Sequence, residues 1–157
     1  MELHGEKVVL RPVTETDTAI LERIVREAEV AAWWPPPDDY GDMLAVVLEG
    51  EVIGAIQFDE ETDPEYRRAG IDIFLTARCH GQGLGADAVR TLARWLVQER
   101  GHHRLTIDPA AANTTAIRCY GKVGFKPVGI MRAYWRDPRS GTWQDGLLMD
   151  LLADELT

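Results

Sequence analysis

Apolar positions along this chain fall into two patterns: short continuous runs bounded by turn formers, and longer stretches where they recur every three or four residues. Val8-Val9-Leu10-Arg11-Pro12-Val13 reads as a first strand. Thr14 with Asp17 three residues on marks a helix start, and Ile20, Leu21, Ile24, Val25 and Ala28 give that helix one apolar face. Trp33-Trp34-Pro35-Pro36-Pro37 cannot continue it, because proline lacks the N–H and clashes with the preceding turn. Two runs, Met43–Leu48 and Val52–Phe58, flank Glu49-Gly50 and predict a hairpin. After an acidic loop, Asp59–Glu65, comes Ile71–Leu75, another strand. Leu84, Ala88, Val89, Leu92, Ala93, Leu96 and Val97 then predict a long helix that ends near Gly101. Arg104–Ile107 forms a short strand closed by Asp108-Pro109, and a short helix runs from about Thr114 to Val123, stopped by Gly124. Two last strands, roughly Pro127–Trp135 and Thr142–Leu152, surround a turn at Asp137–Gly141. The order β-α-β-β-β-α-β-α-β-β predicts one α/β (α+β) domain over residues 1–157, a mixed, mostly antiparallel sheet of six to seven strands flanked by helices.

The junction between the fourth strand and the long helix is chemically the most specific stretch. Arg78-Cys79-His80-Gly81-Gln82-Gly83-Leu84-Gly85-Ala86 sets three glycines at alternate positions directly before a helix N-terminus. Glycine admits positive φ and close approach to the backbone, and the free N–H groups and helix dipole favour phosphate there. The nucleotide-triphosphate loop G-x-x-x-x-G-K-[ST] is absent. Gly81, Gly83 and Ala86 satisfy G-x-G-x-x-[G/A], but a dinucleotide site also asks for an acid roughly 20 residues on. That region reads His102-His103-Arg104, so the dinucleotide reading is set aside.

Composition narrows the classes. With 157 residues the chain can bury a proper core without disulfides or metal. No apolar run approaches the roughly 18 residues of a membrane span, and Met1–Glu6 lacks the layout of a signal peptide, so a cytoplasmic protein is expected. Cys79, Cys119 and the four histidines make no ligand spacing, and no metal is expected. Charge is divided unevenly. Residues 1–75 carry 18 acids against 6 Lys/Arg, a net of −12, whereas residues 76–157 carry a net of +3. A polyanionic cofactor suits the second half and a cationic partner the first; nucleic acid is disfavoured for a chain of net charge −9. Asp72 stands mid-strand between Ile71 and Ile73, on the opposite face from both, where a carboxylate is uncommon without a purpose. Trp33 and Trp34 read equally as a wall of a site or as core plugs.

Downstream, Asn113 to Phe125 follows the pattern N-x-x-A-x-x-x-Y-x-K-x-G-F. With the preceding glycine turn, it resembles the GCN5-related N-acetyltransferase superfamily across nearly the whole chain. One departure is His80, which stands at the first position of the family's [QR]-x-x-G-x-[GA] signature. Glu60–Pro64, Gly70-Ile71-Asp72, Thr106–Pro109 and Ala116–Tyr120 look like aminoglycoside 6'-N-acetyltransferases. The tail, Gly129–Trp135 through Gly141–Asp145, is closer to ribosomal-protein N-terminal acetyltransferases. Four segments against one favour the antibiotic-modifying branch. Protein N-terminal acetylation is the alternative, and an acyl-CoA-binding sensor without catalysis the alternative of another class.

The resemblance implies acetyl-CoA as cofactor. It implies that Ile73, Phe74 and Leu75 pair with the pantetheine arm and that the turn from His80 through Gly81, Gln82, Gly83 and Gly85 to Ala86 holds the pyrophosphate. Asn113 and Lys122 would complete that site. Tyr120 would be the acid that meets the leaving thiolate, and Asp72 the carboxylate that binds or deprotonates the amine. Asp63, Asp108 and Asp145, with Trp33 and Trp34, would bind a cationic small molecule, an aminoglycoside, whose separated ammonium groups call for separated carboxylates. Cys119 is read as packing.

Overall fold

A computed structural model describes residues 1–157. Eight strands form one sheet in the order β1-β2-β3-β4-β5-β6-β8-β7. They are β1 (Leu3–His4), β2 (Val8–Pro12), β3 (Leu44–Leu48), β4 (Glu51–Glu61), β5 (Arg68–Leu75), β6 (Arg104–Ile107), β7 (Lys126–Arg136) and β8 (Trp143–Leu152). The count exceeds the expected six to seven because the two-residue β1, too short to carry an alternation pattern, pairs with β2. It is held there by buried Asp87, whose carboxylate accepts the N–H groups of Glu6, Lys7 and Val8 at 2.8–3.0 Å.

Four helices cover the sheet: α1 (Glu15–Val25), α2 (Ala28–Ala31), α3 (Leu84–Gln98) and α4 (Thr114–Val123). The first helical pattern breaks earlier than its apolar spacing predicted, at Arg26, and Ala28 opens the separate α2. Asp17 fixes the start of α1, accepting from the Thr14 amide at 2.8 Å and from Arg11 at 2.6 Å. These partners, Arg11 first, hold its carboxyl down at about 2. Leu92, Leu96 and Val123 of α3 and α4 pack with Leu105 and Leu151 on one face; Leu21, Val25 and Val30 of α1 and α2 pack with Ala45, Ala55 and Phe74 on the other.

Neighbouring strands are antiparallel except β5 and β6, which run parallel and pair only at Ala69↔Leu105 and Gly70↔Thr106. The chain after β6 follows β8 instead. Pro109 O accepts Leu147 N–H at 2.9 Å, Ala111 N–H donates to Asp145 O at 2.9 Å, and Ala110 bridges Gly146. Ile71–Leu75 therefore runs on with no strand on that side, and the sheet opens into a cleft.

Candidate active site

Strand register decides what the open edge offers. Thr76 N–H donates to Ile53 O at 2.7 Å, so by the two-residue alternation of an antiparallel ladder the even residues of β5 bond to β4 and the odd ones face the gap. Two carbonyls on that edge are already taken. Trp34 Nε1 donates to Ile73 O at 2.9 Å, and His80 Nε2 lies 2.8 Å from Leu75 O. The edge is thus left with N–H donors at Leu75 and at Ile73, the latter also near the Asp72 carboxylate, suited to an oxygen and not to another donor.

Beyond β5 the glycine turn supplies more donors. Gly81 and Gly83 have φ of 75° and 79°, the left-handed region, and a Cβ on either would point into open space where a ligand could approach. None of the six amides from Gly81 to Ala86 donates to a backbone carbonyl; the first helical bond is Asp87 N–H to Gly83 O. Gly85 lies inside α3 and serves packing: its added Cβ would sit 3.4 Å from Cys119 Sγ. Six free donors in sequence at a helix N-terminus make a fitting cradle for a pyrophosphate. His80 tethers this turn to β5, and Gln82 bends back to donate to Arg78 O at 2.7 Å. Asn113 caps α4, accepting from Ala116 N–H at 3.2 Å, and with Lys122 it lines the same cleft.

That cleft, of about 1510 Å³, runs from the glycine turn past Ile73, Phe74 and Tyr120 to Trp33 and Trp34. A second cavity of about 490 Å³ lies over β4, β5 and β6. Gln57, Asp72, Asp108 and Tyr134 line both, so the two join at these side chains. Asp72 remains open to solvent there, yet protein walls displace much of the water around it. This loss of solvation, with the charges of Asp108 and Asp59 added, raises its carboxyl to about 7, and the Ile73 amide only partly offsets the shift. Tyr120 is buried, and its hydroxyl makes no hydrogen bond to the protein. Burial above all, then neighbouring negative charge, pushes its phenol well above the ordinary value. Cys119's thiol is also raised by burial, which fits packing and not a thiolate nucleophile.

The tryptophans divide between the two readings left open by the sequence. Trp34 is half-buried with its ring edge on Phe74, 4.9 Å between centroids, while Trp33 is 38% exposed; both line the cleft. Asp63 and Asp145 are not among the lining residues. Asp63 accepts the Glu65 amide in its own loop at 2.9 Å, and Asp145 accepts Ala133 N–H at 2.9 Å. Several lining residues escaped the sequence reading, among them Gln57, Glu29 and Tyr134. Tyr134 donates its hydroxyl to Asp108, and the tail pattern that contains it gives no sign of this contact, which depends on an irregularity in β7.

Residues 13–125 match the sequence profile of the acetyltransferase (GNAT) family. Over 158 aligned residues, 81% of this chain and 78% of the relative, the sequence is 31% identical to the aminoglycoside N(6')-acetyltransferase type 1 of Klebsiella pneumoniae. A shorter match of 75 residues, 47% of this chain and 68% of the relative, is 42% identical to a kanamycin resistance protein of Rhizobium radiobacter. Among solved structures, AAC(6')-Ib in complex with parmomycin and acetyl-CoA superposes with a TM-score of 0.77 at 27% identity, over 96% of each chain.

Proposed function

The chain belongs to the acetyltransferase (GNAT) family, and on that premise we propose that it transfers the acetyl group of acetyl-CoA to the 6' amine of an aminoglycoside. One observation carries the reading: a cradle of free backbone donors and a pair of carboxylates, Asp72 and Asp108, open into one cleft. The likeness to an aminoglycoside N(6')-acetyltransferase adds the substrate class.

Gly81 to Ala86 would hold the pyrophosphate through their amides, and Asn113 and Lys122 would border the pantetheine arm. Acetyl-CoA, when bound, supplies an activated acyl carbon to which the amine nitrogen bonds as the carbon–sulfur bond breaks. An amide of the open β5 edge, at Ile73 or Leu75, would face the carbonyl oxygen as negative charge gathers on it. Asp108 would hold the acceptor's ammonium, and Asp72, near 7, is matched to take a proton from it at neutral pH. Tyr120 would meet the departing sulfur. A phenol held so far above its ordinary value gives a hydrogen bond more readily than it gives up its proton, so its first contribution is to stabilise the thiolate. No residue need form an acyl-enzyme.

The regiochemistry is tested by incubating the protein with acetyl-CoA and kanamycin and locating the acetyl group by NMR. The reading expects a single acetyl on the 6' nitrogen and no product from an analogue with a 6' hydroxyl. Acetylation at another amine would refute the assigned position, and no acetylated aminoglycoside at all would refute the substrate class.

A further inference from the structure

Tyr134 reaches the cleft by an unusual route. The pairing of β7 with β8 shifts register between Met131 and Trp135, and within that bulge Ala133 takes a φ of 49°. A non-glycine residue rarely adopts this conformation, and something must hold it. Asp145 does so from β8, accepting Ala133 N–H at 2.9 Å. The next residue makes room for the ring: a Cβ on Gly146 would lie 2.6 Å from Tyr134 Cδ2. Asp145 therefore clamps the bulge and Gly146 seats the ring, and the hydroxyl arrives at Asp108 Oδ2 where the two cavities join. Core packing does not account for this, since Tyr134 is 46% exposed.

We infer that Tyr134 is an acceptor-side positioning residue, seated by Gly146 and clamped through Asp145, whose hydroxyl fixes the Asp108 carboxylate so that its remaining oxygen meets the acceptor's ammonium beside Asp72. A carboxylate has two acceptor oxygens, and an unrestrained one rotates; a phenol bound to Oδ2 leaves Oδ1 with a defined direction. The same bond drives Tyr134's phenol up to about 12, so it stays a donor at any working pH. The role assigned to Asp145 changes accordingly, from binding substrate to shaping the wall that does. The inference rests on the acetyl-transfer reading of the cleft.

Steady-state kinetics with acetyl-CoA, using kanamycin and an N-terminal peptide as acceptors, test it through a double-mutant cycle. Tyr134→Phe, which keeps the ring, should raise the acceptor KM about tenfold, the scale of a hydrogen bond to a charged group, and leave the acetyl-CoA KM unchanged. In an Asp108→Asn background the same change should alter KM by less than about twofold, because the group it orients is gone. Asp145→Ala should reproduce the Tyr134→Phe effect and add nothing to it; if that variant misfolds, the Tyr134 and Asp108 cycle decides alone. An unchanged acceptor KM in Tyr134→Phe, or an equal loss with and without Asp108, would overturn the inference. If the peptide and not kanamycin is the acceptor, the aminoglycoside reading falls, and the cycle run on the peptide still decides the role of Tyr134.

Discussion

Asp72 and Tyr120 are perturbed in the same direction by the same cause, loss of solvation, with opposite chemical results. A carboxyl raised to about 7 becomes a usable base, while a phenol raised further becomes a more secure donor. For Asp72 the sign is direct: below about pH 7 the carboxyl is protonated and cannot accept a proton. Log kcat/KM should therefore fall by about one per pH unit on the acid side of 7. Asp72→Asn should remove that limb and lower kcat by roughly 10²-fold or more; a variant that keeps both the limb and the rate would show that another group is the base. Tyr120→Phe should lower kcat by a similar factor of roughly 10² with little change in acetyl-CoA affinity, as read by steady-state turnover and calorimetric titration. Asp72 was legible in the sequence because strand alternation put a lone carboxylate against the pattern, and Tyr120 because it stands in a motif. Asp108 was legible as the residue closing a strand. Tyr134 was not, since its approach depends on one left-handed alanine in a bulge that periodicity cannot register. The occupation of Ile73 O by Trp34 was equally hidden, being a contact between residues 39 apart in sequence.

Among the elements, the turn before α3 does most to define the site. It places six unpaired amides in sequence and uses left-handed backbone at Gly81 and Gly83 to do so. Gly83→Val would force a β-branched residue to φ of 79° and push methyl groups into the cradle, whose open side lies where the added Cβ would point. The expected outcome is loss of measurable acetyl-CoA binding by calorimetry with the thermal transition largely kept; undiminished affinity in a folded variant would dissociate the turn from the cofactor. This element was readable in advance because glycines at alternate positions before a helix signal left-handed backbone and outward-facing amides together. The splaying of β5 from β6 was not. It arises from hydrogen bonds of residues 109–111 to β8, which are set by tertiary pairing and leave no trace in hydropathy. The early break of α1 at Arg26 likewise left no signal, because Ala28 keeps the helical spacing across it.

Over the whole molecule, net charge divides as −12 over residues 1–75 and +3 over residues 76–157. Several acids of the first part are spent on structure. Glu60 pairs with Arg100 at 2.6 Å and with buried His102 at 2.5 Å, which lowers its carboxyl to about 2; buried Asp17 pairs with Arg11 at 2.6 Å. The acids left to the cleft are fewer and better placed: Asp72 and Asp108 at the junction, with Glu29, Asp38 and Asp39 along the wall beside Trp33. A cationic acceptor should therefore bind more weakly as salt rises, since screening over about 8 Å at physiological ionic strength reaches these partly exposed charges. The acceptor KM in kanamycin turnover should climb steadily between low and high salt, and a flat response would argue against electrostatic recognition. The central claim, acetyl transfer from a backbone-held donor to a cationic amine in one cleft, has one direct test. Thiol release from acetyl-CoA is followed with kanamycin and, separately, with an N-terminal peptide at equal concentration. The account predicts rapid release with kanamycin and little with the peptide; release driven by the peptide and indifferent to kanamycin would contradict it.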